Sequence, residues 1–236
     1  MVRDEYKQQF LDFCYKSGAL KFGDFTLKSG RKSPYFFNSG ALHTGEAIER
    51  IGDAYASTIL ARLDDKFDLV FGPAYKGISL SVATVFALRA FHDINKSWVH
   101  DRKVPKEHGE GNTKEVQANW LVGSPVKDSN RIVLVDDVIT TGGTKYDSVE
   151  LLNRCASSLQ YPLLVISFDR QEVGVDGKNA IASFSENTGI PISSVVNVSD
   201  MANHFRGTDV LPHETYKRLE DYVQKYGTEE AKGALQ

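Results

Sequence analysis

The residues best suited to chemistry lie in RIVLVDDVITTGGT, residues 131–144. Two adjacent carboxylates, Asp136 and Asp137, precede Val138 and Ile139, and then Thr140, Thr141, Gly142, Gly143 and Thr144. A glycine-rich loop that opens a helix offers free backbone N–H groups, the positive end of the helix dipole and close backbone approach, all of which suit an anion. Threonine hydroxyls add donors. The acids cannot bind that anion, but they can accept hydrogen bonds from vicinal sugar hydroxyls or orient hydrated magnesium. Phosphate on one side and a diol on the other describe a ribose 5-phosphate. The blander alternative is a helix N-cap and nothing more. The string lacks GxxxxGK[ST] and GxGxxG, so a P-loop and a dinucleotide fingerprint are excluded.

Other chemistry-bearing residues fall near the same place. Lys76 stands in Gly72-Pro73-Ala74-Tyr75-Lys76-Gly77, between a buried strand over 67–71 and a helix over 78–91. A lysine there, with no acid beside it, suits an anion. Arg170 follows another buried strand over 162–168 and either pairs with a neighbouring acid or clasps a substrate carboxylate through two parallel bonds. The run RKVPKEHGEGNTKEVQANW, 102–120, is the most polar of the chain and reads as one long loop. It is either a solvated excursion or a lid, and Arg102, Lys103, Lys106 and His108 would suit a lid over an anionic leaving group. Lys28, Arg31 and Lys32 cluster in a turn over 28–34, solvated or anion-facing. Phe36 and Phe37 are adjacent in a strand and point to opposite faces, so one can be core while the other lines a pocket.

These groups require a parallel sheet. Ile132 to Val135 is short, continuous and β-branched, as expected of a strand buried on both faces, and ligands of open α/β sheets bind at the carboxyl edge. Further expectations are an amphipathic helix over 4–16, two short strands within 19–40, a helix over 45–63 capped by Thr44, a strand over 97–102, a helix over 145–155, a helix over 180–187, a strand over 192–196 and a closing helix over 214–226 with frayed residues behind it. The 236 residues are 41% hydrophobic and carry a net charge of −3, which allows one core and offers no global attraction to nucleic acid. Cys14 and Cys155 have no disulfide or metal spacing and read as reduced packing residues. The charged amino terminus lacks an apolar signal region and no apolar stretch nears ~18 residues, so a soluble cytoplasmic protein is expected.

The strand, paired acids and TTGGT loop resemble the phosphoribosyl pyrophosphate (PRPP) motif of type I phosphoribosyltransferases. Five motifs in order, FTLKSGRKSPYFFN, FGPAYKGI, RKVPKEHGEG, LVDDVITTGGT and FDRQEV, together resemble the orotate phosphoribosyltransferase family. That resemblance implies an α/β fold: a twisted, mainly parallel sheet flanked by helices with a small N-terminal hood. It implies one domain over 1–236, hood to about 63, core over 64–200 and terminal helices after it. It also implies transfer of ribose 5-phosphate from PRPP to orotate with Mg2+, giving orotidine 5′-monophosphate and pyrophosphate on the way to UMP.

By position, PRPP is then met by Asp136, Asp137, Val138, Ile139 and Thr140 to Thr144, with Asp136 and Asp137 at the ribose hydroxyls and Thr140 to Thr144 at the 5-phosphate. Lys28, Tyr75, Lys76, Arg102, Lys103, Lys106 and His108 surround the pyrophosphate. Phe36, Phe37, Thr140 and Arg170 hold orotate. Lys103, Asp136 and Asp137 are the catalytic candidates, and no direct protein ligand is assigned to Mg2+. The residue matching Lys103 reaches the neighbouring subunit in this family, which implies a homodimer. One departure is an extended segment, NTKEVQANW, before LVGS. Two rivals remain. A purine or uracil phosphoribosyltransferase leaves Arg170 without a carboxylate to hold, and a non-catalytic PRPP sensor leaves the basic 102–108 run without a task.

Overall fold

The computed structural model describes residues 5–106, 113–139, 143–174 and 177–235, with the backbone alone for Thr144. Helix α1, Glu5–Lys16, buries Phe10, Leu11 and Cys14 on one face. Strands β1, Leu20–Thr26, and β2, Lys32–Phe37, pair antiparallel as a separate two-stranded hood. Helix α2, Gly45–Leu63, starts at Thr44, whose hydroxyl accepts from Ala47 N. This cap contributes about 1 kcal/mol by satisfying a free helix donor.

Two strands then flank a helix: β3, Leu69–Phe71; α3, Lys76–His92; and β4, Ser97–Asp101. Gly52 of α2 lies where an added Cβ would come within 2.5 Å of the Ala83 carbonyl of α3, so the two helices touch by backbone. Next come α4, Thr113–Trp120, and β5, Leu121–Gly123, followed by β6, Arg131–Asp136; α5, Gly143–Cys155; and β7, Gln160–Asp169. The chain continues through α6, Ala180–Thr188; β8, Ile192–Asn197; α7, Val198–Phe205; α8, His213–Tyr226; and α9, Glu229–Ala234.

The six-stranded sheet has the order β5-β4-β3-β6-β7-β8, parallel except for the edge pair of β4 with β5. Alternation along β6 divides the interior. Val133 and Val135 face a core shared with α1, α2, α3, α7 and α8, while Ile132 and Leu134 face a second core beneath α4, α5 and α6. The first core also takes in Leu20 and Tyr35 of the hood. Each fully buried Leu or Ile here contributes roughly 1.5–3 kcal/mol by leaving water. The expected α/β architecture, with its mainly parallel sheet and hood, is thereby observed. Cys14 and Cys155 are free and buried.

Two sequence expectations are corrected. Residues 102–120 are not loop throughout, because Thr113–Trp120 is helical. Val116 and Trp120, four residues apart, give this polar stretch one apolar stripe against the second core. Gln117 fixes it further, donating to the carbonyls of Val126 and Cys155 and accepting from Val126 N. The expected frayed end is instead α9, held because Ala231 and Leu235 are fully buried and Thr228 caps the helix.

Chain order sets where a ligand fits. From β3 the chain moves outward to β4, whereas from β6 it moves the opposite way to β7 and β8. The crevice between β3 and β6 is therefore the topological switch point of the sheet, beyond whose carboxyl ends ligands bind.

Candidate active site

Both candidate acids stand at that crevice, at and just after the end of β6. Asp136 and Asp137 leave the backbone in opposite directions, as consecutive strand-end residues do. Asp136 turns toward α5, where its Oδ2 lies 2.5 Å from Lys145 Nζ. Its Oδ1 accepts from Asp137 N at 2.8 Å. Asp137 turns toward the hood side, and its Oδ2 accepts from Lys76 Nζ at 2.5 Å and from Ser39 Oγ at 3.0 Å.

The two carboxylates titrate differently. Burial pushes Asp136 up, and Lys145 only partly offsets it, so its affinity for a proton is raised. Burial also acts on Asp137, but bonds from Lys76, Ser39 and the Val138 backbone outweigh it and hold the group below the usual Asp range. Behind both acids lies a buried polar brace. Tyr55 OH donates to the Asp136 carbonyl at 2.7 Å and shares a 2.7 Å bond with Ser167 Oγ, while Ser167 N donates to the Asp137 carbonyl at 2.9 Å. Tyr55 and Ser167 are fully buried, so α2 and β7 fix the height at which the acids emerge.

Across the crevice, the loop after β3 presents Tyr75 and Lys76. An added Cβ on Gly72 would lie 1.8 Å from the Gly77 carbonyl oxygen, so the loop can fold back on itself only without side chains there. Asp101, at the end of β4, accepts from Ala74 N at 2.5 Å and fastens the loop from the other side. The Ala74-Tyr75 peptide is cis. Tyr75 is 75% exposed, and the Lys76 side chain is 56% exposed even while it holds Asp137.

Arg170 follows β7 and engages the neighbouring acid, the first of the two alternatives. Its Nε donates to Glu172 Oε1 at 2.7 Å, and one terminal nitrogen reaches Ser33 Oγ at 3.0 Å and Tyr222 OH at 3.3 Å. Its guanidinium carbon lies 4.1 Å from the Tyr35 ring centroid. Burial opposes its charge, yet Tyr35, Glu172 and Tyr222 outweigh burial and raise its proton affinity. Glu172 is shared with Arg31, which bonds its other oxygen at 3.0 Å. Two arginines thus flank the Glu172 carboxylate at the base of the hood, with Asp169 next to Arg170 in the chain.

Phe36 and Phe37 behave as opposite-facing neighbours. Phe37 stacks on Phe168 at 5.0 Å against the first core, whereas Phe36 is 38% exposed and stacks on Phe25 at 5.5 Å. Lys28 is exposed in the hood turn, while Arg31 and Lys32 are tied down there, Lys32 by Thr26.

Of the basic run, Arg102 N donates to the Trp120 carbonyl and Lys106 N to the Asn119 carbonyl. Both ends of its described part, 102–106, therefore rest on α4. Lys103 and Lys106 are exposed, and Arg102 Nε is buried without a partner among the described residues. Val138 and Ile139 follow the acids, Ile139 packing against the second core. Gly143 and Thr144 open α5. His108, Thr140, Thr141 and Gly142 lie outside the described residues.

Sequence reasoning did not single out Lys145, Ser39, Tyr55, Asp101 or Glu172. Lys145 carried a signal, a cation directly after TTGGT. Glu172 carried one too, as an acid two residues from Arg170, while the other three act through contacts between distant segments. Among the described residues no three or more His, Cys, Asp or Glu side chains converge to hold a metal. Likewise, no described helix is long and apolar enough to cross a membrane.

A model of the phosphoribosyl transferase domain matches residues 38–199. Orotate phosphoribosyltransferase of Vibrio atlanticus is 41% identical over 224 residues, covering 94% of this chain and 98% of its own. The namesake protein of Bifidobacterium longum is 39% identical over 231 residues, covering 93% and 96%. Among solved structures, orotate phosphoribosyltransferase of Francisella tularensis superposes with a TM-score of 0.79 at 34% identity, over 93% of this chain and all of that one. With the acid pair, Lys76 and Arg170 at one sheet edge, the chain belongs to the orotate phosphoribosyltransferases of the phosphoribosyl transferase domain family.

Proposed function

We infer that the chain transfers ribose 5-phosphate from PRPP to orotate, forming orotidine 5′-monophosphate and pyrophosphate on the route to UMP. The observation that carries this reading is the Lys76–Asp137 pair, which sets a cation for an anionic leaving group beside an acid for a sugar diol across the switch point. The Arg170, Arg31 and Glu172 cluster supports a carboxylate-bearing base. A purine or uracil has no carboxylate for the Arg170 fork to hold.

The reaction breaks the bond from C1 of the ribose to pyrophosphate and forms one to a ring nitrogen of orotate, through an oxocarbenium-like sugar. Asp136 and Asp137 orient the ribose hydroxyls and residues 140–144 grip the 5-phosphate. Lys76, with Lys28, Arg102, Lys103, Lys106 and His108, offsets charge on the departing pyrophosphate. Arg170 and the Phe36–Phe37 strand orient orotate. Closure of the basic segment excludes water from the cationic sugar. Mg2+, bound with PRPP, supplies further charge neutralisation. The two carboxylates are hard oxygen donors suited to the water shell of that ion, without a protein cage around it.

The whole chain acts as one catalytic unit in the cytoplasm, as a homodimer in which Lys103 serves the partner's site. Support for pairing comes from α3, which exposes Val82 and Phe86, with Phe91 edge-on to Phe86 at 6.4 Å.

The test is the fall in orotate absorbance on mixing protein, PRPP and Mg2+, with uracil, hypoxanthine and adenine in parallel. Turnover confined to orotate is expected. Turnover of another base, or tight PRPP binding without any turnover, would overturn the reading.

A further inference from the structure

Lys145 is a lysine that the expected PRPP contacts do not include, yet it is among the least exposed charged groups of the chain, with 10% of its side chain accessible. Its position is unfavourable on two counts. Burial costs an ammonium its hydration, and the first turn of α5 presents the positive end of a helix dipole. Something must compensate, and two oxygens do. Asp136 Oδ2 lies 2.5 Å from the Nζ and the Val138 carbonyl accepts from it at 2.7 Å.

Those partners sit nine and seven residues back, on the other side of the phosphate-loop motif. Val138 enters that motif and Lys145 directly follows it, so one ammonium joins its two ends. The Asp136 carboxylate is fastened at both oxygens as well, Oδ1 by Asp137 N and Oδ2 by Lys145. It cannot rotate without breaking one of them.

We propose that Lys145 is a positioning residue for the transfer, tying the ends of the phosphate loop together and holding the Asp136 carboxylate toward the ribose hydroxyls. The role rests on the function inferred above. A loop whose ends are already joined loses less freedom when it grips a phosphate, and an acid already oriented needs no reordering when the diol arrives. Both effects act on PRPP. Orotate is held mainly on the Arg170 side, with Thr140 as its one expected contact in the loop, so the larger effect falls on PRPP.

The experiment compares Lys145→Gln and Lys145→Arg with the unaltered chain, measuring kcat and KM for each substrate. K145Q keeps N–H donors and removes the charge. It is expected to raise KM for PRPP by about tenfold or more while KM for orotate stays within about twofold. K145R restores the charge and should return KM for PRPP to within about threefold. KM does not depend on the folded fraction, so a partly unfolded preparation still reports the split. An unchanged KM for PRPP in K145Q, an equal rise in both KM values, or no recovery in K145R would overturn the role of Lys145. Turnover of orotate by the unaltered chain is the separate control on the function itself.

Discussion

Lys76 Nζ and Asp137 Oδ2, 61 residues apart in sequence, lie 2.5 Å apart across the switch point of the sheet. Each is also bonded to Ser39 Oγ, at 3.1 Å and 3.0 Å. When PRPP enters, its ribose hydroxyls compete for Asp137 and its pyrophosphate competes for Lys76, so both halves of the pair exchange one partner for a substrate group. The Lys76 side chain is largely exposed, and Ser39 still bonds the more buried Asp137 when the lysine is removed, so the pair contributes on the order of 1 kcal/mol to folding. Lys76→Ala should therefore leave Tm within a few degrees while lowering kcat by roughly 100-fold, the scale of losing one preorganised charge at a leaving group. Thermal melts beside steady-state rates test it. A loss of stability matching the loss of rate would mean that Lys76 is structural.

Arg170 gives the second prediction. Three of its bonds, to Glu172, Ser33 and Tyr222, fix the plane of its guanidinium. Lysine cannot reproduce that fork, so Arg170→Lys is not conservative here. A charge-assisted bond is worth about 1.5–3 kcal/mol, so KM for orotate should rise roughly 10- to 150-fold in R170K, with KM for PRPP nearly unchanged. Arg31 still neutralises Glu172, which limits the damage to folding. Unchanged KM for orotate would show that the cluster only braces the hood.

A third prediction concerns Lys103, exposed at the start of the basic segment. A contact made mainly in the transition state lowers kcat far more than it raises KM, and Lys103→Ala should do so. If Lys103 serves the partner's site, mixing inactive K103A and Asp137→Asn chains should restore activity, because some mixed dimers own one site free of both lesions. No recovery after demonstrated subunit exchange would place Lys103 in its own subunit's site. A Phe86→Glu chain that sediments as a monomer would locate the dimer contact on α3.

Much of this was legible because it depends on near neighbours in the chain. Thr44 caps α2 where a hydroxyl precedes a helical pattern, and Asp136 ends a β-branched run. The carboxyl-edge position of Lys76 and Arg170 follows from strand, loop and helix order alone. Helix α4 was hidden because Val116, Gln117 and Trp120 find their partners across the fold while the rest of the segment is polar. Helix α7 carried a local signal that passed unnoticed, the reciprocal capping of Asn197 and Asp200. Ser39 reaches Asp137 across 98 residues and Arg170 reaches Ser33 across 137, and no pattern of residue types announces such contacts.

Asp169, next to Arg170, gives a pH-dependent prediction whose sign follows from burial. Its carboxyl is pushed from 3.8 up to about 6, first by desolvation and further by Glu230 and Glu172, against a bond from the Gln171 backbone. The folded protein thus holds this proton more tightly than the unfolded chain does. The resulting stabilisation is complete below the unfolded value of about 4 and is lost as pH rises through about 6. Moving from 3.8 to about 6 corresponds to at most about 3 kcal/mol lost by pH 8. Asp169→Asn removes the ionisation and keeps an oxygen for Gln171 N, which Asp169 Oδ1 now accepts from at 2.7 Å. D169N should melt several degrees above the unaltered chain at pH 8, with the gap closing toward pH 4. A constant difference at both pH values would show that the substitution acts through packing and that Asp169 ionises in the folded protein as freely as in the unfolded chain.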